Sequence, residues 1–403
     1  MNPVQLYQAA LHEQLDQPLA TATSLDSVFY TSPDVFAAEM EALSSRTWRV
    51  VAAAGQLSQP NSVHSLTMTG QPLVVTRAAD GTIRCFHNVC KHRGVPLVTE
   101  SATAIKAMRC PYHGWRYRLD GTLERASHFN GIGDHRVCNT GLSSLDLDDI
   151  RCATWNGLVF ANAGGEAPPL TATMQALDTR WHEYDFTQFE YGGDLHYRLA
   201  GNWKLVVENF LDSYHNPFVH PALNKASSWK AHYPIVEPDY FGVGSNVYQS
   251  DVAGHGGLPI LTGLSPAGQR RAEYLCVTPT LMLGLHADYL FVLTIDPIDA
   301  QTTDEHVYFF FVGADKDDPK VKSARRNVLE NWDRINREDI PVVEGMQVCR
   351  NASPYGTSVF SPFHEGPMHA FQRQVAQLMA NRKPKPRQAS VDHAIHELVG
   401  SEA

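Results

Sequence analysis

The chain has 403 residues, 43% apolar and 19% charged, an ordinary globular composition able to bury large cores in two or three domains, or in one large domain with an insertion. A net charge of −10 and a pI near 6.0 argue against nucleic acid or an anionic membrane as a main partner. The first residues, MNPVQLYQAALHEQLDQ, lack the basic start and apolar run of a signal peptide; seven sparse cysteines make no disulfide framework, so a reducing cytoplasm is expected.

Residues 1–45 read as a polar helical arm, with Phe36, Met40 and Leu43 as its apolar stripe against a later domain. From Trp48 the pattern changes to short alternating strands at 48–51, 63–68, 72–76 and 82–86, with Ala79-Asp80-Gly81 as a hairpin turn. Such spacing suggests a small sandwich or barrel. Within it lie HNVCKHRG (87–94) and CPYHGW (110–115), each offering one thiolate and one imidazole on a tight loop. Cys90, His92, Cys110 and His113 suit either zinc or an iron–sulfur centre. Cys-x-His is an unusual half-site for zinc. A Rieske [2Fe–2S] cluster needs two Cys on one iron and two His on the other, and two similar loops meet that symmetry.

GLVFANAGG (157–165) ends the β region, and Glu166-Ala167-Pro168-Pro169 reads as a linker. A helix is expected over 172–190 and a strand over 193–199. The stretch NWKLVVENFLDSYHNPFVHP (202–221) reads as one helix stopping near Pro217, with Trp203, Val206, Val207, Phe210 and Tyr214 on its buried face. Glu208, Asp212 and His215 share another face, and His220 follows the break; two imidazoles beside a carboxylate begin a metal site. One further carboxylate would complete the facial triad of a non-haem Fe(II) oxygenase.

Residues 221–272 show no clean period, as expected of a substrate channel or lid, with Trp229, Tyr233, Tyr240, Phe241 and Tyr248 as candidate lining. Strong β patterns between 274 and 311 read as antiparallel hairpins forming a sheet under the metal-site helix. The region 275–298 is broken by Pro279, His286 and Asp288, so no membrane span is expected. Helix returns at 319–349, with Val328, Leu329, Trp332 and Ile335 on one face. Asp339 lies one turn beyond Ile335 on that side, where a buried carboxylate needs a partner such as a metal. After 379 a basic run reads as a surface tail.

The paired Cys/His motifs resemble those of the Rieske non-haem iron oxygenases, and NWK…EN…D-x-x-H-x4-H is similar to the catalytic signature of their large (alpha) subunit. The resemblance spans 36–379. It implies an α+β fold: an N-terminal arm (1–45), a small all-β Rieske [2Fe–2S] domain (46–165), a larger catalytic domain (166–380) with an antiparallel sheet packed against helices (helix-grip, START-like), and a tail (381–403). Carried over, Cys90 and Cys110 would hold the inner iron of the cluster, His92 and His113 the outer one, and His215 and His220 a mononuclear iron. The segment 336–344 resembles the one supplying the third iron ligand; Asp339 is the choice, ahead of Glu338 and Glu344. Asp212 resembles the carboxylate that joins an iron-ligand His to a cluster-ligand His of a neighbouring subunit, with Glu208 and Asn209 as further candidate catalytic residues.

The implied chemistry is O2 activation with electrons from NAD(P)H. No Gly-x-Gly-x-x-Gly follows a strand, so a separate reductase or ferredoxin would deliver them. A homotrimer is the economical assembly, since the bridge requires neighbouring subunits. Residues 205–221, His286-Ala287-Asp288-Tyr289 and Glu338-Asp339…Gln347 look similar to the branch oxidising quaternary ammonium compounds (choline, glycine betaine, carnitine), where hydroxylating an N-methyl group leads to demethylation. Asp212 departs from the Glu of some members. The alternatives are hydroxylation of an aromatic ring or aromatic acid and, remotely, a Rieske electron carrier, which would not need the second metal signature.

Overall fold

The computed structural model describes residues 1–137, 141, 144–250, 256–352 and 355–380; the expected tail, 381–403, lies outside them. Three N-terminal helices come first: α1 (Pro3–Ala10), capped by the Asn2 side chain with Pro3 at its first position, α2 (Val28–Thr31), and α3 (Pro33–Arg46), capped by Ser32. On α3 the buried face is Val35, Glu39, Ala42 and Leu43, while Phe36 and Met40 of the expected stripe are only half-buried. The helix is turned this way because Glu39 has buried partners in a later element, described below.

A six-stranded antiparallel sheet follows, built from β1 (Arg49–Ala53), β2 (Ser62–Met68), β3 (Gln71–Arg77), β4 (Ile83–His87), β8 (Asp149–Trp155) and β9 (Leu158–Asn162) in the order β1-β9-β8-β4-β3-β2. A small sheet of β5 (Met108–Arg109), β6 (Arg116–Tyr117) and β7 (Leu123–Arg125) sits within it in sequence. Helix α4 (Leu170–Arg180) is shorter than the expected 172–190: it stops at Arg180, the Asp185 side chain caps a separate short turn at Phe186–Gln188, and Phe189 starts β10 (Phe189–Leu199).

The second sheet has seven antiparallel strands in the order β10-β16-β15-β14-β13-β12-β11, comprising β11 (His232–Val236), β12 (Phe241–Ser245), β13 (Ala272–Thr278), β14 (Leu281–Leu285), β15 (Tyr289–Asp299) and β16 (Thr302–Val312). Alternate residues of β15 and β16 feed two different cores. Tyr289, Phe291, Leu293, Phe309 and Phe311 face helices α5 (Trp203–Leu211), α8 (Pro319–Arg350), α9 (Gly366–Met379) and the N-terminal arm. Leu290, Val292, Tyr308, Phe310 and Val312 face α4 and residues of β1 and β9. Both faces are covered, which is why these strands read as continuous apolar runs. Each large side chain fully buried this way contributes about 1.5–3 kcal/mol.

The two sheets are locked together at one corner. Buried Arg49 on β1 donates to the Ile295 carbonyl (2.7 Å) and to Asp296 (3.0 Å) on β15, and Asp296 also accepts from the Thr69 amide (2.8 Å). Among the described residues no helix is long and apolar enough to cross a membrane.

Candidate active site

The first site grows from two loops with the same backbone pattern. The Cys90 amide donates to the Val95 carbonyl (2.9 Å) and the Gly94 amide returns to the Cys90 carbonyl (2.9 Å). In the second loop the Cys110 amide donates to the Trp115 carbonyl (2.8 Å) and the Gly114 amide to the Cys110 carbonyl (3.1 Å). Each turn closes through a glycine with positive φ (+76° and +68°), a conformation in which a Cβ is costly. Buried Asn88 ties the base of the first loop, accepting from the Leu97 and Val98 amides at 2.9 and 3.0 Å.

The result is a graded donor set. Cys90 and Cys110 are 1% and 3% exposed, while His113 is exposed and His92 half-buried. The His92 and His113 Nδ1 atoms face one another at 3.1 Å. Burial pushes the Cys90 thiol up, against the His92 amide and the Tyr117 hydroxyl, which pull it down; the neighbouring Cys110 sulfur adds a smaller rise. Two sulfurs inside and two imidazole nitrogens at the rim match a cluster with thiolates on one iron and imidazoles on the other. The Trp115 ring stacks on His92 at 4.9 Å and 9°, and the Tyr117 hydroxyl lies 3.7 Å from the Cys90 sulfur.

The second site is carried by α5, whose first turn is capped by Asn202 accepting from the Lys204 amide (3.0 Å). The helix ends at Leu211, earlier than expected. The Asp212 backbone is extended, and its carboxylate accepts from the Tyr214 amide at 2.6 Å, a local turn that competes with further helix. Two short helices follow, α6 (Asn216–Val219) and α7 (Pro221–Ala226), with His220 at the junction. Thus His215 and His220 are presented by a turn and a helix junction rather than by one helical face.

Helix α8 supplies the third group. Asp339 Oδ1 lies 2.9 Å from His220 Nε2 and 3.5 Å from His215 Nε2, and accepts from Asn209 Nδ2 at 3.2 Å. One ligand atom from each of His215, His220 and Asp339 lies within 4.8 Å of the others. The outer nitrogens are anchored in parallel: His215 Nδ1 on Asp212 at 3.1 Å, and His220 Nδ1 on Glu338 at 2.7 Å. Glu338 is itself held by Arg334 at 2.9 Å. Burial lowers the His220 pKa, but its bonds to Asp339 and Glu338 outweigh that and raise it. Two imidazoles with oriented outer nitrogens and one carboxylate, all aimed at one point, fit a metal that keeps open positions.

Two sequence expectations need correction. Glu208 does not join this cluster; it is 4% exposed and accepts from Tyr30 (2.6 Å) and Gln372 (2.9 Å) in the core beneath α5. Burial raises its pKa. Nearby, buried Glu39 accepts from Lys204 Nζ and Trp203 Nε1, both at 2.7 Å. Of the other candidates for the third ligand, Glu338 serves His220 as described and Glu344 accepts from the Ala200 amide (3.0 Å).

The second correction concerns the lining. A cavity of about 90 Å³ opens beside His215, His220 and Asp339, and none of the five expected aromatics borders it. Its walls come instead from Leu223, Ser227, His232, Val243, Tyr274 and Trp332. Strand register explains this for Tyr233, which points away from the row in which Pro234, Val243, Tyr274, Gly284, Phe291 and Phe309 run continuously across the strands beneath α5. Gly284 is required in that row, since a Cβ there would lie 2.0 Å from the Phe291 ring.

Residues 47–136 match the model of the Rieske [2Fe–2S] domain, and residues 186–381 match that of the ring hydroxylating alpha subunit (catalytic domain). The chain belongs to the Rieske oxygenase alpha subunits. Its relatives include the carnitine monooxygenase oxygenase subunit of Acinetobacter pittii, 25% identical over 342 residues (81% of this chain, 85% of that one). The glycine betaine monooxygenase oxygenase subunit of Pseudomonas aeruginosa is 25% identical over 388 residues (85% and 86%). The chloroplastic choline monooxygenase of Arabidopsis thaliana is 25% identical over 373 residues (88% and 82%). The fold matches that of the quaternary ammonium Rieske monooxygenase CntA with a TM-score of 0.77 at 23% identity, covering 91% of this chain and 98% of that one. Naphthalene 1,2-dioxygenase shares the fold too (TM-score 0.71, 19% identity, 91% and 95%). This alpha subunit therefore takes a Rieske [2Fe–2S] cluster and a mononuclear non-haem iron, and acts as the oxygenase component with electrons from a separate reductase.

Proposed function

We propose that this alpha subunit hydroxylates an N-methyl group of a quaternary ammonium compound. The observation that carries the reading is the charge of the cavity. Tyr274 and Trp332 supply aromatic faces and Asp212 a carboxylate that is not a metal ligand, and no Lys or Arg borders the cavity among the described residues. Such walls favour a cation and disfavour an aromatic acid, whose carboxylate would find no basic partner.

In this reading Cys90 and Cys110 hold the inner cluster iron, His92 and His113 the outer one, and His215, His220 and Asp339 the mononuclear iron. Bound there, the two centres supply reductive activation of O2. The protein's own part is positional. Asp212 and Glu338 fix the tautomers of His215 and His220, Asn209 steadies Asp339, and Tyr274 and Trp332 hold the ammonium group. In the balance, one N-methyl group, one O2, two electrons and two protons give one N-hydroxymethyl group and one water. The carbinol then breaks its C–N bond to release formaldehyde, the tertiary amine and a proton.

Asp212 is half-buried beside exposed Tyr214 and Phe218, a surface suited to receiving the His92/His113 rim of another copy, so we take the assembly to be a homotrimer with Asp212 bridging subunits. The six described cysteines are free, in keeping with a reducing cytoplasm. The reading is tested by O2 uptake with a chemical reductant against betaines, carnitine, choline and aromatic substrates. Formaldehyde in step with O2 for one methylated amine supports it; hydroxylated ring products with no formaldehyde would move the protein to the aromatic branch. Mixing Cys90→Ala chains with Asp212→Asn chains tests the bridge: each alone should be inactive, and co-assembled trimers should recover part of the activity.

A further inference from the structure

The cavity beside the metal cluster has one wall that none of the assigned roles uses. His232 opens β11, at the edge of the seven-stranded sheet, and Ser227 ends α7, which starts directly after His220. The Ser227 hydroxyl lies 3.0 Å from His232 Nε2. The other ring nitrogen, Nδ1, is buried and has no hydrogen-bond partner among the described residues. Both residues border the same cavity as His215, His220, Asp339, Tyr274 and Trp332.

A buried polar atom without a partner is uncommon and costly, so its retention asks for a reason. No carboxylate contributes to the surroundings of this imidazole, and burial alone drives its pKa down to about 4, so the ring is neutral at ordinary pH. A neutral imidazole has one N–H and one lone pair. With Ser227 donating to Nε2, the proton sits on Nδ1 and Nδ1 is a donor. With the ring in the other tautomer, Nδ1 is an acceptor. Either state recognises an oxygen substituent without bringing a positive charge near an ammonium group.

We propose that Ser227 and His232 form the polar end of the substrate cavity, hydrogen-bonding an oxygen that the substrate carries away from its reacting N-methyl group. The enzyme then selects quaternary amines bearing a carboxylate or hydroxyl over bare alkylammonium ions of the same shape. This rests on the quaternary-ammonium reading above, but the residues are testable apart from it. A site built to hydrogen-bond a substrate oxygen rejects the analogue lacking it, because its own polar atoms are then left unpaired.

The test uses the holoenzyme under argon, with calorimetric affinities for trimethylammonioacetate, choline and ethyltrimethylammonium, and then kcat/KM for the same three in air. One or both oxygen-bearing compounds should bind about tenfold or more tighter than ethyltrimethylammonium, as expected of one buried hydrogen bond to a polar or charged acceptor. Which of the two binds better identifies carboxylate or hydroxyl as the recognised group. His232→Leu should shrink that preference to within about twofold, and His232→Asn should restore part of it. Ser227→Ala, the milder change, should reduce it several-fold. Iron content and cluster absorption establish that each variant is loaded. A preference that survives both His232→Leu and Ser227→Ala would overturn the proposal, as would a wild type with no preference. If no trimethylammonium compound binds, the functional reading fails instead. Benzoate, benzyl alcohol and toluene then replace the set, and the same loss of oxygen preference in His232→Leu supports the assignment while its absence refutes it.

Discussion

Glu338 offers the sharpest quantitative test of how the metal site is built. It does not reach the point on which the three ligand atoms converge, yet its carboxylate bonds His220 Nδ1 at 2.7 Å and is held from behind by Arg334 at 2.9 Å. His220 is 1% exposed, so water cannot readily replace the lost acceptor. Removing it leaves the imidazole free to change tautomer and to rotate, and weakens its basicity. Losses of this kind cost roughly 10–100-fold in metal affinity, or about 1.4–2.7 kcal/mol. We expect Glu338→Ala to raise the iron dissociation constant by roughly 10–100-fold and Glu338→Gln, which keeps a neutral acceptor, by about tenfold or less. The assay is competitive chelation at fixed pH, with the cluster's absorption as an internal control on folding. Wild-type iron affinity in Glu338→Ala would refute the claim that this carboxylate fixes His220.

His220→Ala should lose the mononuclear iron and product formation while keeping the cluster's absorption, read by metal analysis and visible spectra. Lys204→Met leaves Glu39 charged and buried without its cation, and should cost about 3–5 kcal/mol in denaturant unfolding; adding Glu39→Gln should recover a good part of that loss. Asp288 is fully buried, and burial raises its pKa to about 6. Its folded form holds a proton that the unfolded chain releases at lower pH, so its contribution to stability is present below about pH 4 and is lost as pH rises through about 6. Relative to Asp288→Asn, the wild type should therefore lose on the order of 3 kcal/mol between those pH values. A flat difference between the two unfolding curves would contradict it.

The Cys/His and His/His pairs at the two sites were legible because each lies within a short segment, where spacing alone constrains geometry, whereas Asp339, 119 residues beyond His220, was legible only from its place on the apolar side of a helix and from the resemblance of 336–344. Cys90 and His92 share one turn, and so do Cys110 and His113. Less legible was how the segment after Leu211 runs. Apolar periodicity continues to Tyr214, but the Asp212 side chain takes the Tyr214 amide and ends the helix a turn early. The cavity lining was misread for a different reason. His232 and Tyr233 point to opposite faces of β11, and only the strand's register decides which meets the substrate. Glu208 follows α5's period faithfully, but its partners Tyr30 and Gln372 come from opposite ends of the chain, and no local pattern announces such bonds.

That last arrangement bears on how the protein is made. Tyr30 and Glu39 bond to groups on α5, Tyr7 donates to Glu39, and Gln372 of α9 closes the same core. A ribosome adding about 5–20 residues per second would complete α9 some tens of seconds after the arm emerges. During that interval the β1–β9 domain gains all of its strands and can fold, while the arm's Tyr7, Leu11, Phe29 and Leu43 still lack the later helices that complete their core. The catalytic core is thus a late, long-range assembly stitched by both flanks of the chain. Nascent chains stalled before α9 should be the species that recruit chaperones, and freeing the arm in the finished protein should loosen α5, and with it the segment after it that bears His215 and His220, before it disturbs the cluster.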